Sequence, residues 1–195
     1  MTDHPICRYP VPDINDLPDD VKATILEVQE QSGFIPNVFL VLARRPDEFR
    51  AFFMYHNALM EKEGGLSVAD KEMIIVATSA HNNCIYCVVA HGAILRIRAR
   101  NALIADQVAT NYKKADITPR QRAMLDFAIK VSTDSAGVED EDYDVLRAHQ
   151  FDDEEIWDIA SIAGLYSLSN RLANFARVRP NDEFYLMGRV PRDKL

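Results

Sequence analysis

Apolar residues recur along this chain at three- and four-residue intervals, and no stretch alternates convincingly with period two. The pattern predicts helices nearly throughout and an all-α fold. Asp19 to Gln31 places Val21, Ile25 and Val28 on one face and stops at Ser32 and Gly33. A short apolar helix is expected from Asn37 to Arg44, bounded by Pro36 and Pro46. A longer one, Pro46 to Glu63, opens with proline and acids in its first turn and closes at Gly64 and Gly65. Its aromatic cluster (Phe49, Phe52, Phe53 and Tyr55, with Met54) reads as core or subunit interface, or in part as the wall of a pocket. His56 is read with the core.

Further on, Ser67 is a candidate N-cap, and Val68 to Ala80 is apolar nearly all round, which marks a buried rather than an amphipathic helix. His81, Asn82 and Asn83 interrupt it, because asparagine favours caps and turns. A second apolar helix follows from about Cys84 to Arg98. Asn101 to Tyr112 is a further helix, and Thr118, Pro119 and Gln121 form a capping box that launches another to about Ser132. The stretch from Ile117 to Leu125 faintly echoes Leu66 to Ile74, with Ala123 where Glu72 would stand. An acidic run at 139–142 reads as a solvated helix start, and Asp152 to Glu155 caps a long helix expected from Glu154 to about Val178. Gly164 inside that helix predicts a close backbone approach.

The four prolines in residues 1–18 predict an extended N-terminal arm, and Cys7 lies in it, outside any motif. Residues 19–178 are expected to form a single helical domain. Residues 179–195 read as a polar tail, poor in core residues and expected to pack on a neighbouring subunit. With 195 residues, 48% of them apolar and 27% charged, the chain is long enough for a real core and ordinary for a soluble protein. A net charge of −8 argues against nucleic acid and anionic membrane surfaces as partners. No apolar run approaches a membrane span and no signal peptide is visible. Three cysteines do not make a secreted disulfide framework, so the cytoplasm is the expected location.

Reactive groups concentrate between Glu72 and His91. Cys84 and Cys87 are three residues apart, His91 follows four residues later, and Glu72 lies twelve before Cys84. If the two helices fold back on each other at Asn82 and Asn83, a rise of ~1.5 Å per residue brings Glu72 and His91 level. Cys87 and His91 then share a face, as do Cys84 and Cys87. A helix N-terminus and a nearby histidine favour thiolate. His91 can take a thiol proton, Glu72 can orient the imidazole, and a second cysteine one turn away can resolve a sulfenic acid into a disulfide. Tyr86 and His81 stand as candidate supporting residues around this set. These are parts for a thiol peroxidase or a dithiol–disulfide exchanger, acting without a cofactor.

This spacing of Glu72, Cys84, Cys87 and His91 resembles the motif of the alkyl hydroperoxidase D (AhpD) group in the carboxymuconolactone decarboxylase-like superfamily, and more closely its "peroxidase-related" branch. The core of the resemblance runs from Leu66 to Arg98, with weaker similarity at Asn170 and Arg171 and from Arg179 to Tyr185. It implies an AhpD-like helical bundle that assembles as trimers or hexamers. By the same resemblance Glu72 and His91 relay protons, Cys87 becomes the sulfenic acid, and Cys84 is the more exposed, resolving cysteine. An external dithiol, such as a lipoyl group on a partner protein, would restore the pair. The chain departs from the motif at Tyr86, where well-known members carry a histidine; tyrosine is a poor base near neutral pH.

Other readings use the same residues. Cys84, Cys87 and His91 could ligate a metal, although the second Cys/His pair usual in structural zinc sites is not visible. A lactone decarboxylase of the thiol-free branch would not need the two cysteines. A disulfide reductase or a redox sensor would need them as much as a peroxidase does.

Overall fold

The computed structural model describes residues 5–190. Among them no strand occurs, and ten α-helices follow one another: α1 (Asp19–Ser32), α2 (Asn37–Leu42), α3 (Pro46–Met60), α4 (Val68–His81), α5 (Ile85–Arg98), α6 (Ile104–Asn111), α7 (Pro119–Asp134), α8 (Asp140–Ala148), α9 (Asp153–Ala176) and α10 (Glu183–Leu186). The expected all-α fold is the observed one. Helix starts follow their caps. Ser67 accepts from the Asp70 amide, and both Thr118 with Gln121 and Asp152 with Glu155 close reciprocal capping boxes. Each such cap satisfies amides that the first turn leaves without a partner.

Helix α4 is the centre, packed against α5, α6, α7 and α9. It is buried along most of its length because its sequence offers no polar face to water. Ile74, Ile75, Met124, Leu125, Ile159 and Ile162 from α4, α7 and α9 form the heart of the main core. Burial of each contributes on the order of 1.5–3 kcal/mol. A smaller core joins α1, α2 and α3 through Val21, Ile25, Ala43 and Phe49. The start of α7 lies against the start of α4, where Gln121 Nε2 donates to Asp70 Oδ1 at 2.8 Å, so the two echoing stretches are neighbours.

Lys71 is a buried cation with a purely structural place. Its ammonium donates to the carbonyls of Leu59, Met60 and Lys62 at 2.9, 3.2 and 2.8 Å. It thereby closes the C-terminal end of α3, where carbonyls lack helical partners and a positive charge is favoured.

Both ends of the described segment are tied to the bundle. The Arg8 amide donates to the Ala176 carbonyl and the Arg179 amide to the Ile6 carbonyl, each at 2.8 Å, so the N-terminal arm lies along the exit of α9. Cys7 is buried there, in the same apolar cluster as Cys84 and Cys87, rather than standing apart from the motif. The tail is anchored within its own chain. As far as residue 190 it packs on its own chain, because buried Arg96 of α5 donates to the carbonyls of Phe184 and Met187 at 2.8 and 2.9 Å. Asn181 adds bonds to Asn37 and Ile35. Residues 191–195 of the expected tail lie outside the described residues. Gly164 also corrects an expectation: it sits on the exposed side of α9, and a Cβ there would meet nothing within 4 Å.

Candidate active site

The turn between α4 and α5 builds the site. Asn83 adopts a left-handed φ of 53°, which asparagine tolerates better than most residues. The Cys84 amide then donates to the Ser79 carbonyl at 2.9 Å, and α5 starts at once. Cys84 is its N-cap, a position usually held by oxygen-bearing side chains; its sulfur accepts from the Cys87 amide at 3.4 Å. One turn of helix puts Cys87 beside it.

The fold-back also delivers the expected carboxylate–imidazole pair. Glu72 Oε2 lies 2.8 Å from His91 Nδ1, with the carboxylate side chain 5% and the imidazole 16% exposed. A carboxylate at Nδ1 holds the proton there and leaves Nε2 as the accepting nitrogen. Tyr166 of α9, fully enclosed, meets the imidazole edge-on at 4.8 Å between ring centroids. Burial and the neighbouring Glu72 keep its phenol protonated well past the ordinary tyrosine range.

The two thiols differ sharply. The Cys87 thiol hydrogen-bonds the Cys84 sulfur, and together with the Cys87 amide and Asn170 this draws the Cys84 thiol down to about 7 against the opposing effect of burial. Cys87 moves the opposite way: its proton is held by the Cys84 sulfur, and burial and the adjacent negative charge reinforce the effect. When the reduced pair loses its first proton, the charge therefore rests on Cys84 and the remaining proton on Cys87. Ser169 Oγ stands 4.0 Å from Cys87 Sγ.

A cavity of about 460 Å³ connects these groups to the outside. Glu72, Tyr86, Cys87 and His91 line it, together with Tyr166 and Ser169. Most of the rest of its wall is apolar, including Phe52, Phe53 and Phe184, so part of the aromatic cluster of α3 does wall a pocket. This size and character suit a small organic ligand.

The sequence pattern of the carboxymuconolactone decarboxylase family matches residues 46–106, which span α3 to the start of α6. A solved structure described as an alkylhydroperoxidase AhpD core, an uncharacterized peroxidase-related protein from Ralstonia eutropha JMP134, is 64% identical with a TM-score of 0.95. The match covers 97% of this chain and 100% of that one. An uncharacterized peroxidase-related protein from Silicibacter sp. TM1040 is 36% identical with a TM-score of 0.90, over 96% and 98% of the two chains. The chain belongs to the AhpD-like group of the carboxymuconolactone decarboxylase-like superfamily. The debrominase Bmp8 shares the fold, at 20% identity and a TM-score of 0.77 over 94% and 96% of the chains. No curated protein matches the chain.

Within this AhpD-like frame, Glu72 and His91 are joined, and Cys84 and Cys87 are joined. No hydrogen bond links His91 to either cysteine among the described residues, and the two pairs meet through the cavity that His91 and Cys87 share. Cys84 is not the more exposed cysteine that the resemblance implies. It is 0% exposed and Cys87 2%, and Cys87 rather than Cys84 faces the cavity. Cys84 is turned inward, into the apolar cluster to which Cys7, Ala173 and Ala176 also belong. Tyr86 is buried and lines the cavity, its phenol oxygen accepting from the Val38 amide at 3.3 Å. Burial raises its ionisation beyond any use as a base near neutrality. His81, the other supporting candidate, is exposed at the end of α4 and lines a separate groove with Val108 and Tyr112.

Asn170 is the contribution that motif reading undervalues. It is fully buried and favours the thiolate form of both cysteines; its amide nitrogen donates to Ser79 Oγ at 2.9 Å and its carbonyl oxygen accepts from Asn82 at 3.0 Å. A polar cluster of Ser167, Ser169 and Asn170 directly after the apolar stretch 162–166 was its visible signal. His56 also lines the cavity, 6.5 Å from the Tyr166 ring, and burial keeps its imidazole neutral.

Proposed function

We propose that this protein is a thiol-dependent peroxidase that reduces organic hydroperoxides or hydrogen peroxide through Cys84 and Cys87. The observation that carries the reading is the shared cavity: the Glu72-oriented imidazole of His91 and the Cys87 thiol face one apolar space, with the Cys84 thiolate directly behind. A hydroperoxide in that space meets Cys87. The proton of Cys87 passes to Cys84 or to His91 Nε2, and the Cys87 thiolate attacks the terminal oxygen. The O–O bond breaks, Cys87 becomes a sulfenic acid, and the alkoxide leaves as alcohol with a proton from the relay. The Cys84 sulfur then attacks Cys87 Sγ and expels hydroxide, which is protonated to water. One hydroperoxide and two thiols thus become one alcohol, one water and a Cys84–Cys87 disulfide.

An external dithiol returns the pair by exchange. Because both sulfurs are buried, the reductant must send a slender dithiol through the cavity, which suits a lipoyl arm on a partner protein. The exposed apolar side chains of Trp157 and Leu168 on α9 suit a homo-oligomer, trimeric or hexameric. Among the described residues no helix is long and apolar enough to cross a membrane, and a cytoplasmic location fits a pair that must be kept reduced.

Steady-state assay with dihydrolipoamide as reductant separates the peroxidase from a disulfide reductase or sensor that uses the same pair. Turnover that saturates with cumene hydroperoxide and disappears in Cys87→Ser supports the peroxidase. Rapid reduction of a model disulfide with no hydroperoxide turnover assigns the pair to exchange instead.

A further inference from the structure

Beside the thiol cavity lies a second hollow of about 340 Å³, between α2, the start of α3, the end of α9 and the N-terminal arm. Val38, Phe52 and Ser169 line both, so the two spaces adjoin next to Cys87. Its walls are otherwise mostly apolar, with Val41, Leu42, Leu172 and Phe175 prominent. Two arginines stand among these apolar groups. Arg45 is neutralised by Glu48 at 2.6 Å. Arg44 has no carboxylate partner among the described residues; its guanidinium lies over the ring of Tyr9, 4.4 Å from the centroid, which holds it in place without cancelling its charge.

An apolar hollow with one anchored, unpaired guanidinium is complementary to an apolar ligand ending in an anion, and arginine's planar fork suits a carboxylate in particular. We infer that the second hollow binds the carboxylate-bearing end of the substrate, so that the favoured hydroperoxides are amphipathic hydroperoxy acids, with the carboxylate on Arg44 and the hydroperoxide beside Cys87. This specifies the substrate class of the proposed peroxidase and rests on that reading for the chemistry. The hydroperoxy acid would leave as the hydroxy acid with one water, as the two thiols become a disulfide.

The test compares linoleic acid hydroperoxide with its methyl ester in the intact protein, in Arg44→Gln and in Arg44→Lys. Wild type should show a KM for the acid about tenfold below that for the ester, the ratio one charge-assisted contact gives. Arg44→Gln should bring the ratio close to one, and Arg44→Lys should restore part of it. Binding of the corresponding hydroxy acid, which cannot be reduced, is measured in parallel by calorimetry and reads the hollow independently of turnover. Weaker binding of the hydroxy acid in Arg44→Gln would uphold the inference even if no hydroperoxide turned over. Equal acid and ester KM values in wild type, or hydroxy-acid binding unaffected by Arg44→Gln, would overturn it while leaving peroxidase activity standing. Those are also the outcomes expected if a second copy of the chain covers the hollow.

Discussion

Helices α4 and α7 begin alike and end differently. Both start from a hydroxyl N-cap after an apolar residue, lie side by side, and share the bond from Gln121 to Asp70. The buried residues of α7 are Ala123, Met124, Leu125, Phe127 and Ala128, all apolar. Those of α4 include Asp70, Lys71, Glu72, Thr78 and Ser79, and Ala123 occupies the place in α7 that Glu72 occupies in α4. Burying a polar group is costly unless it is bonded, and every buried polar side-chain atom among the described residues has a partner. The difference separates two uses of one helical pattern. In α7 burial serves the core, and in α4 it also holds Glu72 against His91 and Ser79 against Asn170.

Removing the nucleophile should give the largest contrast. Cys87→Ser is expected to lower hydroperoxide turnover by about three orders of magnitude or more while the protein stays folded, read as initial rates beside a thermal melt. A thousandfold loss of rate with an unchanged melt places Cys87 in the chemistry; retained activity removes it. Met124→Ala in α7 should do the reverse. The cavity it leaves costs about 2–5 kcal/mol in denaturant unfolding, and the rate per folded molecule holds.

Glu72→Gln keeps the shape of the site and removes the charge that orients His91. Hydroperoxide-driven thiol loss should slow about a hundredfold, the usual worth of an acid–base contribution. An unchanged rate and pH profile would dismiss the relay. The smallest effects concern the thiolate itself. Ionised thiol grows as pH rises, so alkylation of the reduced protein should climb between about pH 6 and 8 with a midpoint near the Cys84 value of about 7. In Cys87→Ala the main hydrogen bond to Cys84 is gone, and the midpoint should move up toward the ordinary ~8.5. Asn170→Ala should raise it by a smaller amount, and it leaves Ser79 and Asn82 short of a partner at a cost of about 1–3 kcal/mol. A midpoint insensitive to both changes would contradict the shared proton.

Much of this was legible from local rules. Caps at Ser67 and Thr118 mark helix starts because they satisfy amides within one turn, and those boundaries are met, while the helix capped by Asp152 starts one residue before the expected Glu154. Glu72 and His91 could be paired by counting rise along two helices joined at an asparagine turn. The contacts of Ser169 and Asn170 could not, since they join residues more than eighty positions apart and depend on how α9 crosses α4 and α5. The docking of the tail depends on Arg96, an arginine that reads as solvent-facing yet is buried because it binds two carbonyls of α10 and its exit. The burial of Cys84 escaped for a similar reason: an N-cap is commonly exposed, but this one lies in an apolar cluster that also takes in residues of the N-terminal arm and the end of α9.

The proposed cycle requires Cys84 and Cys87 to act together on a hydroperoxide. Reduced protein mixed rapidly with cumene hydroperoxide, quenched, and mapped by mass spectrometry tests it most directly. Two thiols per chain should be lost far faster than free cysteine reacts, with a Cys84–Cys87 disulfide formed and Cys7 still reduced. Thiol loss no faster than that of free cysteine, or a disulfide through Cys7 in place of Cys87, would contradict it.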